Sequence, residues 1–533
     1  MTQKQKTLVG GVSILGVAGI ICKVVGVLYR IPLTNLITQN GMGVYSTVYP
    51  TYNLLLTISS AGLPVAISRM MAHHITREDP QNARRIFRTA LKILTVLGVV
   101  TSVLMFALSG ALAASHNDPD TRLGFMAIAP SLFFVCVMSA YRGFLQGQRN
   151  MVPTAISQLI EQIGRVFVAL PLAYLGMRRG GIAWGVAGAL LGSTTAEGVS
   201  LVYMLIQHRR SARALEKLPQ RPDAEPLSDR TILKRLFVVA VPITLGACIV
   251  PLAEFIDSHM ILPLMEGAGI AFEEARILFG VYTGPVITLI NVPTAIAMAM
   301  GTNLVPDIAS GLARGDRDYV IRETGIGLRM AAVVGFPCSV GMSLLAKPIL
   351  YLCYRSGYDA VYLDTAAELL QISALTIVLF TMVQATSGIL QGAGKQRIPM
   401  YTLIVGVAMK IALNYTLVQR PEVNIHGAPW ASLLCYTASM IPNLYFVSKY
   451  TGYRFSVRDV ILKPLFSAAV MGAAVWAVWH FLFGDPGRLT GFRLTAGILL
   501  CVLLGAVVYV LMALITDAIR KEDLPAKVRR FLK

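Results

Sequence analysis

The stretch GFLQGQRNMVP, Gly143 to Pro153, returns as GILQGAGKQRIP, Gly388 to Pro399. Each copy closes a long apolar run at its basic end. About thirty residues further on, GIAW (181–184) is answered by GAPW (427–430) at nearly the same offset. A four-letter match alone carries little weight. Two matches at nearly one offset, each on the same span of a six-span unit, mark an internal repeat. Two similar helical bundles in the same orientation follow, and duplicated bundles with a site between them are a transporter architecture.

Working outward, the composition agrees. Of 533 residues 55% are hydrophobic and 14% charged, and the mean hydropathy is +0.63. Apolar runs of about 20 residues recur from end to end, each long enough to cross about 30 Å of hydrocarbon as a helix. No period-two alternation competes with them, which argues against a β-barrel. The chain reads as an all-α polytopic membrane protein. Its fourteen spans are 8–29, 44–72, 89–114, 123–147, 153–175, 182–206, 234–262, 276–301, 326–350, 365–391, 398–418, 427–448, 462–483 and 492–516. No signal-peptidase pattern follows the first, so it is expected to be retained.

The net charge of +19 lies in the short segments between spans, as topology determinants do, rather than in a nucleic-acid-binding patch. With the N-terminus inside, cytoplasmic segments collect roughly 31 Lys and Arg against roughly 8 outside. An even number of spans with both termini cytoplasmic follows, and the localisation is the cytoplasmic membrane. The expected domains are a six-helix bundle over 1–206, a charged cytoplasmic linker over 207–233, a second bundle over 234–450, and a helix pair with a cytoplasmic tail over 451–533. The seven cysteines (22, 136, 248, 338, 353, 435 and 501) lack any C-x-x-C spacing and read as packing residues.

Several charges stand at membrane depth, where each costs roughly 2.5–3.5 kcal/mol and normally faces a wet cavity or a partner. Lys23 and Arg30 lie about two turns apart in span 1. In span 5, Glu161 and Arg165 have the i,i+4 spacing of a mutually neutralising pair, either structural or a gate that opens when partners exchange. Span 7 carries Glu254 and Asp257 three residues apart, with His259 nearby and Pro242 and Pro251 breaking the helix. Span 11 carries Lys410 and Asn414. There is no phosphate-binding G-x-x-x-x-G-K-[ST], no H-E-x-x-H and no serine elbow, so an enzyme is not expected, nor ATP bound to this chain, nor a metal or cofactor.

At these residues the chain resembles the multidrug/oligosaccharidyl-lipid/polysaccharide exporter superfamily. The stretch YRIPLTNLITQNGMGVYSTVYPTYNLLLTISSAGLPVAISRMMA, with GFLQGQRNMVPTAISQLIEQIGR, looks like the stage V sporulation protein B branch. PTAIAMAMGTNLVPDIASGLARGD is similar to the corresponding part of the MurJ-type lipid II flippases. The resemblance runs through twelve spans, and the extra pair fits the MurJ-type count. It implies a carrier that turns an undecaprenyl-pyrophosphate-linked cell-wall precursor, lipid II first among them, from the inner to the outer leaflet by alternating access.

What the resemblance implies for residues is specific. Lys23 falls in the context of the basic residues that face the cavity from span 1 in MurJ-type proteins, and Arg30 aligns to within one residue. A pyrophosphate is a suitable partner for paired Lys and Arg. Arg69 is the basic residue of span 2. The span-8 arginine position reads TLINVP here, with no cation, and Arg276, a few turns earlier at the outer mouth, is the candidate substitute. Some relatives build a sodium site from spans 7, 11 and 12. Asn414 occupies one such position, but Lys410 stands where another ligand is expected, so sodium independence is expected. A V-shaped pair of bundles with a central cleft is expected, with spans 13 and 14 offering an apolar groove to the prenyl tail. The expected partners are a lipid-linked oligosaccharide, membrane lipids and the cell-wall synthesis machinery, with the protein itself a monomer. The competing readings are export of another lipid-linked polysaccharide unit, a multidrug/cation antiporter, for which basic residues in span 1 are unsuitable, and a non-transporting scaffold.

Overall fold

The computed structural model describes residues 3–216 and 226–520. The centre of the expected linker, 217–225, and the tail, 521–533, lie outside the described residues. No strand occurs among the described residues. Among the described residues ten helices are long and apolar enough to cross a bilayer alone, or eleven with the bent pair Asp229–Ala247 and Ile249–Gly267. Two of the ten hold two spans each, because the chain reverses inside them. Adding Gly427–Thr451 gives fourteen spans among the described residues.

The reversals are local. At Thr38 the backbone leaves the helix (φ 64°, ψ 178°), and the Thr34 hydroxyl meets the Met42 sulfur at 3.6 Å. Eight residues along an unbroken helix would be about 12 Å apart, so the chain folds back here. Leu33, Ile37, Met42 and Val44 are at most 1% exposed. Spans 1 and 2 therefore continue to 37 and from 39, beyond the expected 29 and 44, because these apolar residues belong to the core. At Gly181 (φ 74°) the chain turns again. A Cβ on Gly176, Gly188 or Gly192 would fall 2.2–2.4 Å from the backbone of Trp184, Leu172 or Ala169. Each pair is symmetric about the turn, as in a tight antiparallel hairpin of spans 5 and 6.

The chain forms two compact units, Met1–Leu262 and Pro263–Lys533. The division between these units falls inside span 7. The reason is packing. Ala240 approaches so closely that a Cβ on Gly62 would be 2.2 Å from its carbonyl oxygen. The Thr244 hydroxyl accepts from the Gly62 N–H at 3.1 Å, and Arg85 pairs with Asp229 at 3.1 Å. Span 7 is bent by 47° at Cys248, between Pro242 and Pro251, where ring closure removes a backbone donor.

The quoted repeat has the same geometry in both units. The N–H of Asn150 bonds the Leu145 carbonyl at 3.0 Å, and that of Lys395 bonds Leu390 at 2.8 Å. Between them Arg149 and Gly394 take the left-handed conformation (φ 62° and 72°). A Cβ on Gly143 would meet Ile67 at 2.8 Å, and one on the equivalent Gly388 would meet the Gly301 carbonyl oxygen at 2.1 Å. Gly98 packs on Phe133 and Cys136, and Gly335 packs on Val378 and Thr381. Spans 2, 3 and 4 thus meet as spans 8, 9 and 10 do.

Spans 13 (Arg458–Leu482) and 14 (Gly491–Ile515) pack on each other and on span 9. Ala468, Met471, Val475, Cys501 and Tyr509 form a buried cluster with Val333 and Leu345. All seven cysteines are free thiols.

Candidate functional site

The first unit encloses a polar network built by spans 2, 4, 5 and 6. Arg142 of span 4 donates to Glu161 of span 5 at 2.5 Å and to the Ser157 hydroxyl at 2.9 Å. Arg165, four residues after Glu161, donates instead to Glu197 of span 6 at 3.3 Å. The Glu197 carboxylate also accepts from the Tyr52 hydroxyl at 3.2 Å and from Ser131, and Tyr52 and Ser131 share a hydrogen bond of 2.6 Å. Ser200 donates to Glu161 at 3.3 Å.

The expected Glu161–Arg165 pair is therefore replaced by two crossed pairs. Neighbouring helices present closer partners than the same helix does, and a π-turn over Arg165–Ala169 departs from the α-helical spacing on which the expectation rests. Two guanidiniums and two carboxylates balance, which permits their burial. Glu197, 2% exposed, is missed by helical-spacing reasoning because no cation lies three or four residues from it. Its signal is simpler: a lone carboxylate inside span 6, in GSTTAEGVSL.

Span 1 runs beside this network. A Cβ on Gly26 would touch the Gln162 side chain at 3.5 Å. Lys23, a turn earlier, is exposed, and Arg30, a turn later, is half-buried. The Arg30 guanidinium lies over the Tyr45 ring at 5.5 Å, a cation–π contact. Arg69 is exposed at the middle of the helix Leu63–Thr76, rather than at the end of its span. Glu254 is exposed and accepts from the Asn53 amide at 3.2 Å, while Asp257 is half-buried.

In the second unit Arg276 is 5% exposed, with its guanidinium 5.7 Å from the Phe272 ring centroid. It is buried rather than open at a mouth. Lys410 is half-buried and Asn414 fully buried in span 11. Glu254 and Asp257 thus belong to the first unit, and Lys410 and Asn414 to the second. Among the described residues no group of three or more His, Cys, Asp or Glu could hold a metal.

Long apolar helices in two compact units, one of which encloses a charge-balanced network, define a multi-pass membrane protein of transporter fold. The solved structure of lipid II flippase MurJ in an inward closed conformation superposes with a TM-score of 0.68 over 94% of this chain and 97% of that one, at 12% identity. The chain belongs to the polysaccharide biosynthesis protein family, whose pattern matches residues 8–311. A second pattern, MatE, matches residues 283–416. Lipid II flippase MurJ of Bacillus subtilis (strain 168) is 25% identical over 90% of this chain and 91% of its own length. Stage V sporulation protein B of the same organism is 24% identical over 98% and 97%.

Proposed function

We propose that the protein is a carrier, not an enzyme, that moves an undecaprenyl-pyrophosphate-linked cell-wall precursor from the inner to the outer leaflet by alternating access. Lipid II is the first candidate. The observation that carries this reading is the pair Lys23 and Arg30 on span 1. An exposed ammonium and a half-buried guanidinium at membrane depth suit a ligand that brings its own negative charge. In this reading both contact the pyrophosphate, and Arg69 and Arg276 are further cations on its path. Glu161, Arg165, Glu254, Asp257, Lys410 and Asn414 serve coupling or gating, and both termini face the cytoplasm. The likeness to a relative named a lipid II flippase, over nine-tenths of each chain, supports it.

The prenyl tail has a place in the same reading. Span 13 contributes Ala469, Gly472, Ala473 and Trp476 to a mainly apolar groove of about 380 Å³ that Val340, Ser343, Leu344 and Leu375 complete, with spans 9 and 10 as its other walls in place of span 14. Inside-to-outside flipping in proteoliposomes, with defined lipid-linked saccharides and with cationic drugs, tests the function. Flipping of a polyprenyl-pyrophosphate saccharide supports it. Transport of the drugs alone would move the assignment to the antiporter class.

A further inference from the structure

We propose that His116 and His259 form a proton-operated latch that holds the outer half of span 7 against the loop between spans 3 and 4. His116 ends the helix Ser109–Ser115 and is 6% exposed. Its ring centroid lies 3.9 Å from that of His259, with the planes 50° apart. Phe125 stacks with His116 at 6.4 Å, and Phe255 packs against His259 at 4.1 Å. Four rings therefore run from span 4 to span 7, with the two imidazoles in the middle.

The chemistry of the pair is one-sided. Nε2 of His116 is buried without a hydrogen-bond partner, which a neutral ring tolerates far better than an imidazolium. His259 Nδ1 donates to the Phe255 carbonyl at 3.0 Å. The elements that meet here carry the charged and titratable groups Asp118, Asp120 and Arg122 in the loop and the start of span 4, Tyr45 in span 2, and Glu254, Asp257 and Glu266 in span 7, while the Tyr52 hydroxyl of span 2 is engaged with Ser131 and Glu197. Asp118 is engaged with the Asp120 N–H at 3.1 Å, and Glu254 with Asn53 at 3.2 Å. Burial, with His259 adding to it, pushes the His116 imidazole down to about 3. The column is thus stable while its imidazoles are neutral, and two imidazoliums in contact would repel.

The position gives the latch a consequence. The segment it holds, Ile249–Gly267, begins just beyond the 47° break at Cys248, and the first unit ends within it, after Leu262. Protonation from the side that the charge bias assigns to the exterior loosens the stretch of chain that leads out of that unit. This role does not depend on which substrate is carried.

Hydrogen exchange by mass spectrometry on the full chain in nanodiscs, at pH 7.5 and 5.0 and corrected for intrinsic rates, tests it. Opening returns His116 to an ordinary value of about 6.5, so the opening equilibrium rises about thirtyfold at pH 5.0. Segments 113–121 and 249–262 are expected to gain that factor together. The double variant His116→Phe/His259→Phe keeps the rings but cannot titrate, and it is expected to lose the response. If that variant does not insert, His116→Gln is expected to lose most of the response. A wild-type gain below about threefold overturns the proposal, as does a full response in the double variant or in His116→Gln.

Discussion

Replacing Glu197 by alanine leaves the Arg165 guanidinium inside the first unit without its carboxylate. The two side chains are 3% and 19% exposed, so water cannot take over the missing acceptor. Breaking one side of a buried pair costs about 3–5 kcal/mol. Tyr52 and Ser131 lose an acceptor as well, but their mutual bond of 2.6 Å survives, which argues against adding a further full penalty for each hydroxyl. The expected loss is therefore about 3–5 kcal/mol rather than the sum of every broken contact. Removing both charges with residues of similar volume, Glu197→Leu with Arg165→Met, is expected to return to within about 2 kcal/mol of wild type, because neither partner is then left buried alone. Steric trapping in bicelles measures these differences, and the four proteins close a double-mutant cycle. A loss below about 1 kcal/mol in Glu197→Ala, or a double variant as unstable as the sum of the singles, would refute the buried-pair reasoning.

Other expectations follow from single contacts. Gly388→Ala is expected to destabilise by about 1–3 kcal/mol, and more than Gly143→Ala, because its Cβ meets a backbone carbonyl at 2.1 Å and the other meets the Ile67 side chain at 2.8 Å; thermal unfolding compares them. Burial works to raise the Asp79 carboxyl, but hydrogen bonds from Asn82 and then His74 win and hold it below the ordinary carboxylate range. Its contribution is full above about pH 4 and lost as the pH falls through the lower folded value, so the deficit of Asp79→Ala, about 1 kcal/mol as a lost helix cap, is expected to shrink in acid. Replacing sodium by potassium or choline is expected to leave transport unchanged in wild type, with sodium dependence appearing in Lys410→Asn. A large sodium-specific stimulation of wild type would contradict the role given to Lys410.

The repeat was the most legible feature, because its two copies carry the same turn. Arg149 and Gly394 both sit in the left-handed region, and the flanking glycines meet their neighbouring spans in equivalent ways. The bend of span 7 was legible too, since proline removes a helix donor wherever it stands. The hairpins at Thr38 and Gly181 were harder to place. The polar residues of TNLITQNG (34–41) read as a connection, whereas the turn takes a single residue of positive φ, Thr38, and Leu33, Ile37 and Met42 on either side are core. The charged network was legible in membership but not in pairing. Helical spacing proposes Glu161 with Arg165, whereas Arg142 and Glu197 come from other spans and no one-dimensional pattern joins them. His116 could not be read as buried from SHNDPD, a polar connection whose histidine packs on a span more than a hundred residues away.

The most direct test of the central claim is flipping of a lipid-linked pyrophosphate saccharide in proteoliposomes by wild type and by the double variant Lys23→Ala/Arg30→Ala. The unfolding midpoint and membrane insertion of each protein are measured in parallel. The account predicts robust inside-to-outside flipping by wild type and near-complete loss in the double variant, with folding and insertion intact. Full flipping by the double variant would contradict it.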